Sequence, residues 1–247
     1  ILLGCSVGVA GTELGFIFAF AVTRLSLPKW LCAAVSAVTL LPLISPPFTS
    51  SIALTLSLGP NGILLDFFGL GNFNFYGFWG TFISETLTFF PVAFMTLSTI
   101  LARIDPNLED AAYSLGASSF KVFRTVTLPL AAPGIANAFL LVFSCSLADF
   151  ATPQVLGGHS FPVLPTQAYL VITGMYDFKG GAALSFMLLI PAIIVYSLQR
   201  WWVGKKSYVT VSGKAGGRSS VKGPGPILSS VIVATVAVVI ALSLIHI

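Results

Sequence analysis

Few side chains in this sequence could do chemistry, and three of them are acids in apolar surroundings. Glu13 lies in the first apolar run, Glu85 in the third, and Asp149 at the far end of the fourth. A charge at the centre of a bilayer costs about 3 kcal/mol on insertion scales, so acids placed there face protein or water. Glu85 and Asp149 are therefore candidates for lining a path along which a cation crosses, with a helix-end cap or a polar contact between helices as the alternative. Glu13, next to Thr12 and among small residues, reads instead as a helix–helix contact.

Other chemistries lack their residues. Cys5, Cys32 and Cys145 fall in apolar runs without a CxxC pair, and His159 and His246 are isolated, so no metal-ligand set is expected. The glycines of "GPNGILL", from Gly59, are not followed by GK[ST], so the chain is not expected to hold nucleotide phosphates itself. No nucleophile stands with a base. Catalytic residues, metal ligands, resident cofactors and a nucleic-acid partner are all expected to be absent.

The elements that must position these acids are set by composition. Of 247 residues, 56% are hydrophobic and 8% charged, and the mean hydropathy is +0.96. A soluble domain carries about 25% charged residues, so this chain could not cover a water-facing surface. The expected fold is all-α, a polytopic helical bundle in membrane lipid. Apolar runs place spans at roughly 1–22, 30–58, 76–101, 135–147 with a few residues more either way, 182–198 and 227–247. The second is over-long and holds Pro42, Pro46 and Pro47, so it is expected to kink or break near "ISPPFTSS". That broken backbone is a further candidate lining, with a packing kink as the equal alternative.

Basic residues orient the spans. Arg24, Lys29, Arg103, Lys121, Arg124, Arg200, Lys205, Lys206, Lys214, Arg218 and Lys222 all fall on one side, and only Lys179 on the other. The first side is expected to be cytoplasmic. The loops 59–75 and 149–181 then face outward, where Asp177 and Lys179 read as a solvated turn, with a contact to a delivering protein as the alternative.

Residues 203–226, "VGKKSYVTVSGKAGGRSSVKGPGP", are polar and rich in Gly and Ser, the composition of a flexible cytoplasmic linker. An apolar run follows. The expected organisation is one membrane module over 1–202, incomplete at its N-terminus, then the linker, then the truncated start of a second module at 227–247. The last residues, "LSLIHI" at 242–247, read as translated sequencing adapter, which would make His246 no part of the natural protein.

The stretch "LEDAAYSLGASSFKVFRTVTLPLAAPG", 108–134, is unlike its surroundings. Asp105-Pro106 before it is a helix start, with Asp as N-cap and Pro at the first helical position. Leu108, Ala111, Ala112 and Leu115 then form one apolar stripe. Gly116 can take the left-handed conformation that ends the helix. Ser118 or Ser119 can cap a second helix carrying Phe120 and Phe123 on one face, flanked by Lys121 and Arg124. A short helix–turn–helix at the cytoplasmic surface results. It either anchors the loop in the interface or offers its small residues to a partner.

The spacing Asp110-Ala111-Ala112, three residues, Gly116, nine residues, Val126, one residue, Leu128-Pro129 resembles the EAA loop of binding-protein-dependent ABC importer permeases. Asp110 stands where that pattern has glutamate, with Glu109 just before it. "SLADFATPQVLGG", "LPTQAYLVITGMYDFKGGAALSFMLLIPA" and "QRWWVGKKSYVTVSGK" are similar to ferric-iron-type permeases, tandem proteins with two permease modules in one chain. The resemblance implies a type I importer bundle whose loop 103–129 docks on a cytoplasmic ATPase dimer through Glu109, Asp110, Ala111, Ala112, Gly116, Leu128 and Pro129. It also implies that ATP and Mg are bound by that partner. A periplasmic binding protein would deliver the substrate, ferric iron above all, with thiamine, polyamine or phosphonate as alternatives within the family. An ATP-independent secondary transporter or channel is the alternative of another class.

Overall fold

The computed structural model describes residues 1–25, 27–46, 48–59, 62, 75–158, 161–205 and 226–245. Most of loop 59–75, most of the polar linker, Pro47, His159 and His246 lie outside them. Among the described residues there is helix and no strand.

The centre is a three-helix packing of α1 (Leu2–Arg24), α4 (Phe78–Arg103) and α7 (Leu128–Ala148). Lipid is as apolar as leucine, so close van der Waals contact has to hold such helices together, and small residues permit it. Gly4, Gly8, Gly11 and Gly15 supply it on α1. A methyl group added at Gly8 would sit 2.8 Å from the Phe139 ring, and one at Gly11 3.0 Å from Val142. At Gly15 it would sit 2.7 Å from the backbone nitrogen of Phe94. Gly4 meets Phe143 and Gly8 meets Phe139, so α1 and α7 run antiparallel, while the meeting of Gly11 with Phe90 and Gly15 with Phe94 makes α1 and α4 parallel. The glycine face thereby fixes the rotation of α1. Phe18 and Phe90, both fully buried, add an edge-to-face pair at 5.1 Å between ring centroids.

Among the described residues, four helical stretches are long and apolar enough to cross a membrane: Leu2–Arg24, Phe78–Arg103, Ser119–Ala148 and Phe178–Trp201. The expected break falls where the prolines put it. α2 (Lys29–Ile44) and α3 (Thr49–Leu58) are bent by 103° across a short gap, and Pro42 stays inside α2. The fourth span is longer than hydropathy indicated. Helical backbone begins at Ser119, and Pro129 and Pro133 do not interrupt it. Pro129 is the second residue after the π-helical turn Phe123–Thr127.

The remaining helices wrap this centre. α5 (Pro106–Ser114) and α6 (Ser119–Val122) join α4 to α7, with a π-helical turn at Phe123–Thr127. A second π turn at Pro153–Gly157 follows α7, then α8 (Leu164–Thr173) and α9 (Phe178–Lys205). α9 lies on α7 and α8, and Gln199 donates to Asn137 at 2.9 Å. α10 (Pro226–Ile245) packs against α1, α2 and α3, burying Ile232, Val236 and Val239.

Candidate functional site

Two places gather the candidate residues. The first is the turn between α4 and α7 at the end of the bundle that carries Arg24 and Arg103. Asp105 caps α5 by accepting from the N–H of Asn107 at 3.0 Å, with Pro106 in the first turn. The helix closes in a paired-bond C-cap: Gly116 N–H donates to the Tyr113 carbonyl at 2.9 Å and Ala117 N–H to Ala112 at 3.1 Å. Gly116 has φ +82, and a methyl group there would meet nothing within 4 Å. Backbone conformation, not crowding, demands glycine here. Ser118 caps α6, accepting from Lys121 N–H at 3.4 Å.

The expected common face of Phe120 and Phe123 does not form. Phe123 turns inward, its ring 6.1 Å from Phe16 and 5.7 Å from Phe20, whereas Phe120 points out and is 66% exposed. Leu115 is 89% exposed beside Gly116. Asp110, Ala111, Leu128 and Pro129 are exposed as well, and Ala112 is half-buried. These form a small apolar prominence with one acid on it.

Glu109 differs from all of these. It is buried, its Oε1 lies 3.5 Å from Nη2 of Arg24, and it accepts from the Thr127 hydroxyl at 2.7 Å. The same Nη2 donates to the carbonyls of Leu101 at 3.1 Å and Ile104 at 3.5 Å, where α4 ends and its last C=O groups lack helical partners. A buried ion pair is stabilised by hydrogen bonds to its remaining polar atoms; Thr127 and the two carbonyls supply three of these, while Nε of Arg24 has no partner among the described residues. One cluster therefore ties the ends of α1 and α4 to α5 and to the start of α7. Sequence reading counted Arg24 only among the orienting charges and passed over Thr127. Neither carries a local signal, because both act through long-range contacts.

The second place is the opposite end. Glu85 on α4 is fully buried and accepts a short hydrogen bond from the Ser146 hydroxyl of α7, while its Oε1 has no partner among the described residues. Asp149 follows the last residue of α7 and accepts from Ala151 N–H at 3.0 Å, the geometry of a cap on the next turn. Burial pushes its carboxyl above the usual carboxylate range, against the pull of its hydrogen bonds. Ser146 and Asp149 also line a cavity of about 210 Å³ walled by Leu3, Gly4, Pro153, Phe161 and Val163. Glu85 and Asp149 are thus brought together around Ser146, at the end away from Arg24. Glu13 is not with them. Thr12 is buried on the contact face of α1, and Glu13 points away from the bundle.

Among the described residues, no three His, Cys, Asp or Glu side chains gather as a metal-ligand group. What the arrangement offers is a linked set of helices with an exposed apolar turn at one end and buried acids towards the other.

Comparison with known proteins fits that arrangement. Residues 11–207 match the family described as binding-protein-dependent transport system inner membrane component. The chain is 40% identical over 215 residues to the ferric transport system permease protein FbpB of Actinobacillus pleuropneumoniae, covering 85% of this chain and 31% of that protein. It is 30% identical over 195 residues to the molybdenum transport system permease protein ModB of Escherichia coli (strain K12), covering 76% of this chain and 83% of that one. The chain thus spans about a third of the length of the ferric relative. Among solved structures, an amino acid ABC transporter with histidines matches with a TM-score of 0.53 at 17% identity, over 83% of this chain and 92% of that one, a likeness of fold.

Proposed function

This chain belongs to the family of binding-protein-dependent transport system inner membrane components, and on that premise we propose that it is the permease part of an ATP-driven importer for ferric iron. A cytoplasmic ATPase dimer docks on the α5–α6 turn, a periplasmic binding protein delivers the ion, and a second permease module, of which α10 is the start, completes the conduit. ATP and Mg belong to the ATPase. The side carrying Arg24, Arg103 and Lys121 is cytoplasmic.

The observation that carries this reading is the exposed turn itself. Leu115 and Phe120 stand out at 89% and 66% exposure around a glycine with φ +82. Large apolar side chains held out on a capped turn form a protein contact rather than a solvated loop. The cluster of Arg24, Glu109 and Thr127 beneath would carry a pull on that turn into α1, α4 and α7 together. Such a pull converts the conduit only if the ATPase binds the inward and outward states with different affinity.

Ferric iron rests on the similarity to ferric permeases and on charge. Within the spans, Glu13 and Glu85 are acids, whereas the bases Arg24, Arg103 and Arg200 stand at helix ends. A path of that sign suits a cation better than an oxyanion. The test is uptake into vesicles bearing the permease, ATPase and binding protein. ATP-dependent entry of ferric ion is the expected result, and entry without ATP, or of molybdate in place of iron, would refute it.

A further inference from the structure

Glu13 is the middle residue of the 23-residue helix α1. At 1.5 Å per residue it lies about 16 Å from either end of a span, near the bilayer centre. The glycine face of α1 fixes its rotation against α4 and α7, and that rotation turns Glu13 outward. It shares the outward stripe with Leu2, Cys5 and Val9, all exposed, and no hydrogen bond or ion pair holds its carboxyl among the described residues. An ionisable group at that depth is disfavoured against lipid and faces protein or water. The outward face of α9 is different, with Phe186, Met187 and Ile190 exposed and no ionisable side chain in mid-helix. The two exposed faces thus differ in the carboxylate that α1 carries at mid-helix.

We propose that the Glu13 face of α1 is seated across a water-filled conduit from the second permease module, and that Glu13 is the carboxyl group a passing cation meets at mid-membrane. Two further observations name that occupant. The helix that follows the linker, α10, lies against α1, α2 and α3, so a second module continuous with it starts beside α1. The ferric relative is about three times as long as the aligned stretch, enough for a second module. This inference rests on the importer reading given above, and it adds which face of which helix lines the path.

The test uses the assembled complex of full-length permease, ATPase and binding protein in liposomes. In a background with Cys32→Ala and Cys145→Ala, native Cys5 and an introduced Glu13→Cys are treated with a charged, membrane-impermeant methanethiosulfonate, with Phe186→Cys as the lipid-facing control. Thiols in a conduit react at least tenfold faster than the control, and Val9→Cys crosslinks to the second module through a short bis-maleimide. Glu13→Gln lowers ferric-ion uptake at least tenfold while ATPase stimulation by the loaded binding protein persists. Labelling of Glu13→Cys no faster than Phe186→Cys, or wild-type uptake by Glu13→Gln, overturns the proposal. A wild-type complex with no ATP-dependent uptake would instead sink the importer reading, and the labelling rates would still decide where Glu13 faces.

Discussion

The guanidinium of Arg24, in the last turn of α1, lies 3.5 Å from the carboxylate of Glu109 in α5, and both side chains are buried. This contact makes the α5–α6 turn an extension of the membrane helices instead of an appendage. Thr127 brings the start of α7 to the same carboxylate.

Glu109→Ala leaves Arg24 charged, buried and without its carboxylate. Breaking one side of such a pair costs about 3 kcal/mol. The expected result is a fall in thermal stability of the purified permease and at least a tenfold loss of ATP-driven uptake. The exchange Arg24→Glu with Glu109→Arg recovers part of both, since the two groups keep their opposite charges. Uptake at the wild-type rate by Glu109→Ala would show that the cluster carries no coupling.

Gly116→Ala places a side chain in the left-handed region, at a cost of about 1 kcal/mol. Because a methyl group there meets nothing within 4 Å of the rest of the chain, the bundle itself is undisturbed. The variant is expected to keep the wild-type helical content by circular dichroism and to retain less ATPase on co-purification. Gly116→Trp loses the ATPase altogether. Full retention by both variants would place the partner elsewhere.

Gly15→Leu tests the packing that sets the rotation of α1. The obstacles are the Ala93 Cβ at 2.5 Å and the backbone nitrogen of Phe94 at 2.7 Å, which no rotamer change relieves. Overpacking of this kind costs about 2 kcal/mol or more. A lowered melting temperature is expected in detergent, with a smaller drop for Gly4→Ala, whose contact is the edge of the Phe143 ring at 3.1 Å.

Asp149 gives a pH dependence with a definite sign. Burial raises its folded-state value above the ordinary one, so the folded form holds the proton more tightly than the unfolded form. Its contribution to stability is fully present below the ordinary carboxylate value and is lost as pH rises through the folded-state value. Asp149→Asn keeps an oxygen for the Ala151 N–H and carries no charge. Its advantage in melting temperature over the wild type is therefore expected to grow as pH rises from about 4. An advantage that does not change with pH would remove burial as the cause.

How much of this was legible in the sequence depends on the range of each interaction. The break between α2 and α3, the Asp105 cap, the Gly116 turn and the Ser118 cap are local, and residue type at fixed spacing announces them. The fourth span extends beyond its apolar run because Pro129 and Pro133 are both accommodated within continuous helix, which hydropathy does not show. Phe123 turns from the face of Phe120 to pack against Phe16 and Phe20 of α1, a contact between helices that spacing within one helix does not show. The partnership of Arg24 with Glu109, and the outward turn of Glu13, depend on how three distant helices pack. Spacing within any one of them does not show it.

The central claim is that the exposed turn around Gly116 docks on a nucleotide-driven partner, and a crosslink measures it most directly. A cysteine at Leu115, joined by a short bifunctional reagent in the assembled complex, is expected to give one product with the ATPase and to stop ATP-driven uptake. The absence of any ATPase crosslink from Leu115→Cys or Ala112→Cys, or uptake at full rate after ATP is depleted, would contradict the account.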